Sequence, residues 1–571
     1  MPSPMEFLQQ IVSTLEYYTW SFGPSVGGES IPIIVVALLG TGFFLTIRLG
    51  FMQFRRLGHG FALTSGKYDD PNSPGDVPHF QALSTALSAT VGIGNIAGVA
   101  LAIHFGGPGA LFWMWMTAVL GMVTKFAEVT LSMHYRVIEV LDSTGRGRFG
   151  TASGGPMYYI EKGLGPRWKG MAVFFAFAMI VTSFFTGNGI QANTMADVLS
   201  TEFGIPSWAT GLGAATLVFL VILGGITRIG TVTSVLAPLM AVIYVLGALI
   251  ILSFNYNQVI PTFALIFREA FQPTAGVAGT GVGLFVLTMM WGVRRGLFSN
   301  EAGQGSAPIA HAAAKTDEPV AEGVVALLGP FIDTLVICSM TGLVILITGV
   351  WTETVSTEFP LSSGDISYLT DTERGTERAS SIPETIRVEA GRPVRVTAEA
   401  GFAWHDVKVD EFFVDQEQNR PFSGVIRPSE QVAVADDGSR YQSLYGPAVE
   451  NGAPLTALAF QRGLAPLGPW GNYIVVLSVL LFAISTAISW SYYGDRCVNY
   501  LFGPKAILPY KIVFVIMHFV GAVFALSTMW TLGDVALGMV TFPNLIALLL
   551  LSGVVVRLTK SYFERKPWQK Q

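Results

Sequence analysis

Long apolar runs separated by short polar connections make up most of the chain. A helix needs about 20 apolar residues to cross the hydrocarbon core of a bilayer, and runs of roughly this length occur eleven times. They lie near residues 30–47, 84–105, 109–134, 171–199, 207–225, 230–253, 276–306, 323–350, 472–494, 508–527 and 533–557. The pattern therefore predicts an all-α polytopic membrane protein with eleven transmembrane helices.

Composition agrees with this pattern. Hydrophobic residues make up 51% of the 571 residues, charged residues only 13%, and the mean hydropathy is +0.52. A soluble globular protein carries about 25% charged residues, so that class is excluded. Cys338 and Cys497 lie within or beside apolar runs, and we expect neither a disulfide framework nor a metal cluster. Because no nucleophile–base pair or metal-ligand spacing is visible, we predict that the protein is not an enzyme.

Basic residues indicate the orientation of the predicted helices. With the N-terminus outside, the inner connections and the C-terminal tail carry 20 of the 34 Lys and Arg residues, whereas the short outer connections carry Arg268 alone. Positive charge favours the cytoplasmic side. We predict a multi-pass protein of the plasma (inner) membrane with the N-terminus outside and the C-terminus in the cytoplasm.

The segment 351–470 interrupts the apolar pattern and would lie outside the cytoplasm. It holds 18 Asp and Glu against 10 Lys and Arg, a balance of −8. Residues 386–389 and 394–398 alternate in polarity around the turn-forming Gly391-Arg392-Pro393, which indicates a β-hairpin. The segment is either a small β-rich domain or a partly ordered acidic loop. It would contact an extracytoplasmic partner, cover the outer mouth of the protein, or do neither.

Two of the apolar runs are broken by glycines and small polar residues. The first break is Gly92 to Gly98 and the second is Gly292 to Ser306. A backbone freed from its helix survives in a membrane only where it faces protein, water or a solute, and paired breaks point to the binding site of a secondary transporter. The alternatives are close helix packing through Gly94 and Gly98 and, for the second run, the cytoplasmic end of an ordinary helix.

Polar side chains also occur inside two further runs. Residues 186–194 bring carboxamides and hydroxyls into an apolar helix, and among them Gln191 is our preferred ligand for a zwitterionic solute. Ser485, Thr486 and Ser489 offer hydroxyl oxygens suited to a small hard cation, although such hydroxyls also bond back to the preceding helical turn. Lys125, Glu128 and Asp333 are ionisable groups within runs; we expect the first two to neutralise each other.

Four separated motifs resemble those of the alanine or glycine:cation symporter family, also called sodium:alanine symporters. They are residues 89–100 (ATVGIGNIAGVA), 154–160 (GGPMYYI), 295–303 (RGLFSNEAG) and 489–494 (SWSYYG). The resemblance implies a fold of the leucine-transporter type, with five plus five helices in inverted repeat and one additional N-terminal helix. The segments would be 1–83 with one helix, 84–253 as repeat one, 276–350 with 471–557 as repeat two, the insert 351–470, and a cytoplasmic tail, 558–571.

The resemblance also implies a binding site. Gly92, Ile93, Gly94 and Asn95 resemble an unwound segment whose N–H groups receive a substrate carboxylate. The pocket would be completed by Gln191, Trp291, Ser299 and Asn300. The carbonyls of Ser88 and Val91, with the hydroxyls of Ser485 and Thr486, resemble a Na⁺ site.

These observations predict a symporter that imports alanine or glycine with Na⁺ by alternating access. One alternative is an H⁺-coupled transporter of the same fold, with Glu301 or Asp333 as the proton carrier. Another is a membrane receptor or sensor that binds its ligand through residues 351–470.

Overall fold

The computed structural model describes residues 14–26, 29–70, 72–140, 149–274, 282–362, 366–372, 375–378, 382–394, 401–404, 407–524 and 526–569. Helices dominate this part of the chain. The principal ones, in chain order, are α1 (Ile33–Arg48), α2 (His79–Thr90), α3 (Ala97–Gly106), α4 (Ala110–Tyr135), α5 (Lys169–Phe184), α6 (Ile190–Phe203), α7 (Ser207–Ile222), α8 (Gly225–Phe254), α9 (Tyr256–Phe271), α10 (Val282–Asn300), α11 (Ala307–His311), α12 (Pro319–Ala326), α13 (Ser339–Thr348), α14 (Gly452–Gly463), α15 (Gly471–Phe502), α16 (Ile507–Val523) and α17 (Leu526–Arg565).

Shorter helical pieces join these elements. The π-helical turn Phe185–Gly189 links α5 to α6 without a break, and a second, Phe331–Cys338, precedes α13. Short helices cover Met52–Arg55, Leu57–Thr64, Pro156–Leu164 and Leu328–Pro330.

Seven stretches of the described chain are long and apolar enough to cross a membrane. They are Ala110–Tyr135, Pro166–Ser200, Gly225–Phe254, Pro319–Thr348, Gly471–Phe502, Pro504–Val523 and Trp530–Gln569, and the pair α2 and α3, bent by 61°, makes an eighth. Helices α1 and α7 are apolar but shorter. The chain is thus a mostly helical polytopic membrane protein, with fewer helices of spanning length than the eleven predicted.

The two broken helices run side by side in opposite directions. Helix α3, after the first break, packs on α10, before the second break, while α2 packs on α11. We call the side of α3 and α10 the Gly106 end, and the side of α2 and α11 the His79 end. Three further pairs pack together in the same order along the chain: α4 with α12, α5 with α15, and α7 with α16.

The second break begins later than the sequence predicted. Helix α10 continues unbroken through Gly292 and Gly296 to Asn300. A side chain at Gly292 would meet the Ala110 carbonyl, and one at Gly296 would meet the Thr117 hydroxyl, so these glycines allow close packing on α4. The interruption spans 301–306, where Glu301, Gly303 and Gly305 have left-handed backbone (φ 55°, 89° and 75°).

Strands occupy much of the described part of 351–470. They are β5 (Thr354–Pro360), β6 (Ile366–Thr372), β7 (Gly375–Arg378), β8 (Ile386–Glu389), β9 (Arg392–Pro393), β10 (Gly401–Trp404), β11 (Val407–Lys408), β12 (Gly424–Arg427), β13 (Val432–Ala435), β14 (Arg440–Tyr441) and β15 (Ser443–Val449); two-stranded ribbons also join β1 (Ser25–Val26) to β2 (Glu29–Ser30), and β3 (Val137–Val140) to β4 (Phe149–Ser153).

The strands of the insert pair in antiparallel sheets around their own apolar core. The sheet orders are β11-β10-β6-β7, β14-β13-β12-β8-β9 and β15-β5. Phe359, Phe402, Phe412 and Phe422 are buried in this core. The predicted hairpin forms between β8 and β9, with Val388 opposite Pro393; residues 395–398 lie outside the described residues.

Candidate binding site

The first break is held open by the amide of Asn95. Helix α2 ends at Thr90, Gly92 is extended (φ −133°, ψ −159°), and a single 3₁₀ turn, Ile93–Asn95, leads into α3. Asn95 Oδ1 accepts a hydrogen bond from the Gly92 N–H at 2.9 Å. The unwound conformation is therefore stabilised by a side chain three residues away, as at the start of a helix.

Hydroxyl groups from neighbouring helices satisfy carbonyls that the break releases. Thr341 Oγ1 donates to the Asn95 carbonyl at 2.7 Å, and Thr456 Oγ1 donates to the Ile96 carbonyl at 3.2 Å. Buried backbone groups without partners are costly in hydrocarbon. These two threonines, on α13 and α14, thus compensate for the missing helical bonds.

Gln191 reaches the unwound segment from α6. The Ile93 N–H donates to Gln191 Oε1 at 3.5 Å, and Gln191 Nε2 donates to the Thr186 carbonyl at 3.3 Å. A Cβ atom on Gly92 would lie 3.3 Å from the same Oε1 atom. The amide oxygen of Gln191 therefore occupies a position where a carboxylate oxygen would receive a backbone N–H.

Oxygen atoms of α2 and α15 meet beside this segment. Thr486 Oγ1 donates to the Ser88 carbonyl at 2.9 Å and lies 3.5 Å from the Val91 carbonyl oxygen. Ser485 turns away, because its hydroxyl donates to the Phe482 carbonyl at 3.0 Å and lies 3.4 Å from Met240 Sδ. Three of the four predicted Na⁺ ligands are thus brought together and the fourth is not.

The converging atoms suit a hard cation. One hydroxyl and two carbonyl oxygens belong to the ligand class that Na⁺ and other hard cations prefer. The Ser88 and Ser489 hydroxyls are buried and have no hydrogen-bond partner in the described chain. The described residues contain no group of three or more His, Cys, Asp or Glu placed to hold a metal ion.

Asp333 ties the first break to the end of α10. Asn95 Nδ2 donates to Asp333 Oδ1 at 2.6 Å, and Ser299 Oγ donates to Asp333 Oδ2 at 2.7 Å. Asp333 is fully buried. Asn95 and Ser299 lie together, as the resemblance implied. Both side chains donate to Asp333, so they hold the unwound segment in position and do not face a substrate.

Two predicted pocket residues point elsewhere. Trp291 stacks on Phe105, with ring centroids 4.4 Å apart and an interplanar angle of 17°. Asn300 Oδ1 accepts from the Ala302 N–H at 3.0 Å, and its Nδ2 lies 3.4 Å from Thr117 Oγ1. Neither side chain is hydrogen-bonded to the first break.

Phe298 is the side chain that covers Gly94, and the sequence did not reveal it. A Cβ atom on Gly94 would lie 2.8 Å from Phe298 Cδ1. The ring also stacks on Trp530, with centroids 5.2 Å apart. An aromatic residue in an apolar run carries no polar signal; the missing side chain of Gly94 was the available indication that something approaches closely.

Buried charges surround the second break. Glu301 accepts from Trp490 Nε1 at 3.1 Å and from Ser306 Oγ at 2.5 Å. Lys125, on α4, is buried. Glu128 accepts hydrogen bonds from Asn544 Nδ2 and the Gly305 N–H (2.5 and 3.1 Å). In the described residues Glu128 is bonded to Asn544 and Gly305 and forms no direct ion pair with Lys125, contrary to the expectation that the two neutralise each other.

The His79 end is closed by a buried carboxylate between two imidazoles. Glu322 accepts from Nδ1 of His79, at the start of α2, and from Nδ1 of His311, at the end of α11 (2.5 Å for the latter). Arg136 donates to four backbone carbonyls there, those of Pro74, Ala312, Ala314 and Thr316. Burial lowers the pKa of Arg136, against the charges of nearby carboxylates.

Comparison with known proteins assigns this architecture to a family. The model of the sodium:alanine symporter family matches residues 5–368 and 439–571, and leaves 369–438 unmatched. The chain belongs to the sodium:alanine symporter family. It is therefore a multi-pass membrane transporter and not an enzyme.

Relatives of this symporter match over nearly its full length. It is 39% identical over 562 residues to the sodium/alanine symporter AgcS of Methanococcus maripaludis, with 98% of each chain covered. It is 32% identical to YrbD of Bacillus subtilis, whose name describes a sodium/proton-dependent alanine carrier, with 94% of this chain and 90% of the relative covered. A third relative, GlnT of B. subtilis, whose name describes a probable sodium/glutamine symporter, is 29% identical, with 98% and 92% covered.

Proposed function

We propose that the protein is a symporter that carries alanine or glycine together with Na⁺ by alternating access. One observation carries this proposal: the Thr486 hydroxyl meets the Ser88 and Val91 carbonyls directly beside the Gly92–Ile93 backbone. An oxygen cluster for a cation and an N–H for a carboxylate thus lie on the same unwound segment, which is the arrangement that a transporter of broken helices uses.

The substrate is a small amino acid. Its carboxylate replaces Gln191 Oε1 as the acceptor of the Ile93 N–H, and Gln191 then turns to the ammonium group. Phe298 covers Gly94, while Thr486 Oγ1 would lie 2.7 Å from a Cβ atom on Gly92, so little space surrounds the segment. The name of the relative AgcS supports alanine, and the close walls favour alanine or glycine over a larger residue.

Na⁺ binding is coupled to the conformation of the protein because the proposed ligands come from two different helices. Ser88 and Val91 belong to the first broken helix, and Thr486 belongs to α15. The complete ligand set exists only while these helices are close, so the ion stabilises that arrangement by binding it preferentially. Ser88 Oγ and Ser489 Oγ, both buried without partners, are further ligands in this proposal, in place of Ser485.

The proposed architecture is an inverted repeat of five plus five helices preceded by α1, eleven spans in all. The antiparallel contact of the broken helices supports it, as does the ordered pairing of α4 with α12, α5 with α15 and α7 with α16. The segments follow as 1–83, 84–253, 276–350 with 471–557, the insert 351–470, and a tail from 558. The Lys/Arg distribution supports an outer N-terminus, a cytoplasmic tail and the plasma membrane.

The buried charges at the second break favour one alternative, coupling to H⁺. Lys125, Glu128, Glu301 and Asp333 are all enclosed in protein, and ionisable groups within a membrane protein serve proton relays. The relative YrbD, with both ions in its name, supports the same alternative. Glu301 or Asp333 would then carry the proton.

The test is uptake of labelled alanine and glycine into proteoliposomes under Na⁺ and H⁺ gradients imposed separately. We expect Na⁺ to drive uptake; uptake driven by the H⁺ gradient alone would establish the alternative, and failure of both gradients would overturn the symporter. Thr486→Val, which keeps the shape of the side chain, should raise the Na⁺ concentration for half-maximal uptake at least tenfold.

Ser485→Ala is the matched control for the ion site. Its hydroxyl lies one residue away but bonds to Phe482 and Met240, so the half-maximal Na⁺ concentration should change less than threefold. Equal effects of the two substitutions would place the ion elsewhere.

A further inference from the structure

Arg295 lies buried beside the site, one helical turn towards the Gly106 end. It is 4% exposed. Its Cδ atom would lie 3.9 Å from a Cβ atom on Gly98, one turn after Gly94 on the first broken helix. Phe298, one turn further along α10, covers Gly94. Arg295 and the unwound segment are therefore separated by a single aromatic ring.

The guanidinium of Arg295 has more donors than partners. Its Nη2 donates to Asp534 Oδ2 at 3.0 Å. Its Nε and Nη1 are buried and have no hydrogen-bond partner in the described chain. A buried charged donor left unpaired is strongly unfavourable. These two atoms therefore either destabilise the fold or bind an acceptor transiently.

Two guanidiniums and two carboxylates lie together at Arg295, but only one of the carboxylates is buried. Arg294 also uses Asp534 Oδ2, through Nε at 3.1 Å and Nη2 at 2.5 Å, and reaches Glu16 at 3.5 Å. The Glu16 side chain is 37% exposed, whereas that of Asp534 is 4% exposed. Two guanidiniums thus share one buried carboxylate, and the local field attracts an anion.

Aromatic rings enclose the same guanidinium. Arg295 Cζ lies 5.4 Å from the ring centroid of Trp291, 5.7 Å from that of Phe298 and 5.2 Å from that of Trp530. Rings at this distance stabilise a cation and exclude water. An unpaired N–H of a guanidinium favours an ionised acceptor such as a carboxylate oxygen. The Nε–H and Nη1–H of Arg295 point to different sides of the group, so each donates separately.

We propose that Arg295 is a carboxylate-binding subsite on the path to Gly92–Asn95. Its unpaired Nη1 group donates to an oxygen of the carboxylate of an α-amino acid that enters from the Gly106 end. The amino acid passes to the unwound segment when the stacked rings of Phe298 and Trp530 separate. This subsite rests on the proposed transport of a small amino acid and adds the order in which its carboxylate is bound.

The test compares Arg295→Gln with Arg294→Gln in oriented proteoliposomes. We measure the alanine concentration for half-maximal transport from each face, with Na⁺ saturating. Arg295→Gln should raise the value at the face of the Gly106 end at least tenfold and leave the other face within twofold. Arg294→Gln, which removes a paired neighbour of the same Asp534, should change both values less than threefold.

The remaining outcomes distinguish failure of the proposed function from failure of the Arg295 subsite. If the wild type does not transport alanine under either gradient, the proposed function fails. If the wild type does, but Arg295→Gln equals Arg294→Gln or weakens both faces alike, the subsite alone is wrong.

A variant that does not transport is resolved by binding of labelled alanine to the purified protein. Slow association with near-normal equilibrium binding supports the subsite. If Arg295→Gln instead loses both alanine binding and the folded state, Arg295→Lys decides. The subsite is then supported if Arg295→Lys restores folding but not the association rate of alanine, and it is overturned if Arg295→Lys restores both.

Discussion

The two ends of the broken-helix pair are built from opposite chemistry. At the His79 end, both oxygens of Glu322 accept imidazole N–H groups, and Arg136 donates to four carbonyls. At the Gly106 end, Arg294 and Arg295 share the single carboxylate of Asp534, Arg295 leaves two donors unpaired, and stacked rings make the neighbouring contacts. Separating the His79 end breaks a fully paired polar cluster. At the Gly106 end, by contrast, the stacked rings separate at lower cost, and the buried hydrogen bonds at stake are those of Arg294 and Arg295 to Asp534.

The difference indicates which end opens first from the structure described. Opening the His79 end exposes a carboxylate and two imidazoles that each lose a partner. Opening the Gly106 end moves Phe298 from Trp530. Arg295 then parts from Asp534, which lies on the helix of Trp530, and gains access to another acceptor. On the proposed topology the His79 end faces the cytoplasm and the Gly106 end faces the outside, the side from which the proposed import would begin.

Removal of Glu322 should have the largest effect on the polar cluster of the His79 end. Glu322→Ala leaves His79 and His311 without their shared acceptor in a fully buried position. Breaking a buried charged cluster typically costs about 3–5 kcal/mol, and we expect a loss of that size in the free energy of unfolding measured in mixed micelles. A cysteine placed on α11 should also become reactive from the cytoplasmic face.

Glu318→Ala is the control for this change. Glu318 lies in the same connection but pairs with Arg565 at the surface, at 2.8 and 3.0 Å. Exposed pairs contribute about 1 kcal/mol or less. If the two alanine variants lose similar stability, the His79 end is not held by its polar cluster and the comparison fails.

Gly94→Ala tests the close contact between the first break and Phe298 on α10. Its methyl group would lie 2.8 Å from Phe298 Cδ1 and 3.2 Å from Cε1, and overpacking of this kind costs about 1–3 kcal/mol. We expect a corresponding loss of unfolding free energy and of alanine transport. Phe298→Leu in the same chain should recover part of both.

Gly98→Ala is the matched control, one turn away on α3. Its methyl group would meet nothing closer than Arg295 Cδ at 3.9 Å, and alanine is favoured over glycine within a helix by up to about 1 kcal/mol. Stability should stay the same or rise. A loss as large as that of Gly94→Ala would show that Phe298 is not the constraint.

Trp291→Leu separates packing from substrate binding at the Gly106 end. The stack on Phe105 contributes about 0.5–1.5 kcal/mol beyond buried area, so stability should fall by roughly this amount. Trp291→Phe should keep most of it. Because the centroid of the Trp291 ring also lies 5.4 Å from Arg295 Cζ, the alanine concentration for half-maximal uptake should rise, but less than threefold. A tenfold rise in Trp291→Leu would place Trp291 in the substrate pocket, as the family resemblance implies.

The break at Gly92 was visible in the sequence because its causes are local. Gly92 takes the extended conformation, and the side chain that stabilises it, Asn95, follows three residues later. The second break was misplaced by nine residues because a glycine that unwinds a helix and one that admits a neighbour look alike. What distinguishes Gly292 and Gly296 is the position of Ala110 and Thr117, nearly two hundred residues away.

The choice between Ser485 and Thr486 also lay beyond the sequence. Adjacent residues on a helix point about 100° apart, so only one of them faces α2, and the packing of α15 against α2 and α8 decides which. Gln191 is one of three carboxamides in an otherwise apolar run, and the sequence alone could only favour it. Phe298 and Arg295 gained their meaning from the antiparallel contact of two distant helices, which no local pattern expresses.

The smallest predicted effect concerns Asp76, a half-buried carboxyl next to the His79 end. Burial raises the pKa of Asp76, although the Ala152 N–H, which donates to it at 2.9 Å, and nearby Arg and Lys charges oppose the shift. Since the folded pKa exceeds the unfolded value of about 3.9, the stabilisation is present below that value and is lost as the pH rises through the folded pKa. Asp76→Asn keeps the acceptor oxygen and removes the titration, so the wild type should lose stability relative to this variant on going from pH 4 to pH 8. Asp76→Ala, which also loses the acceptor, should be less stable than Asp76→Asn at every pH. If the wild type gains stability relative to Asp76→Asn as the pH rises, the neighbouring cations and not burial dominate at this carboxyl. The ionised Asp76 side chain then stabilises the His79 end.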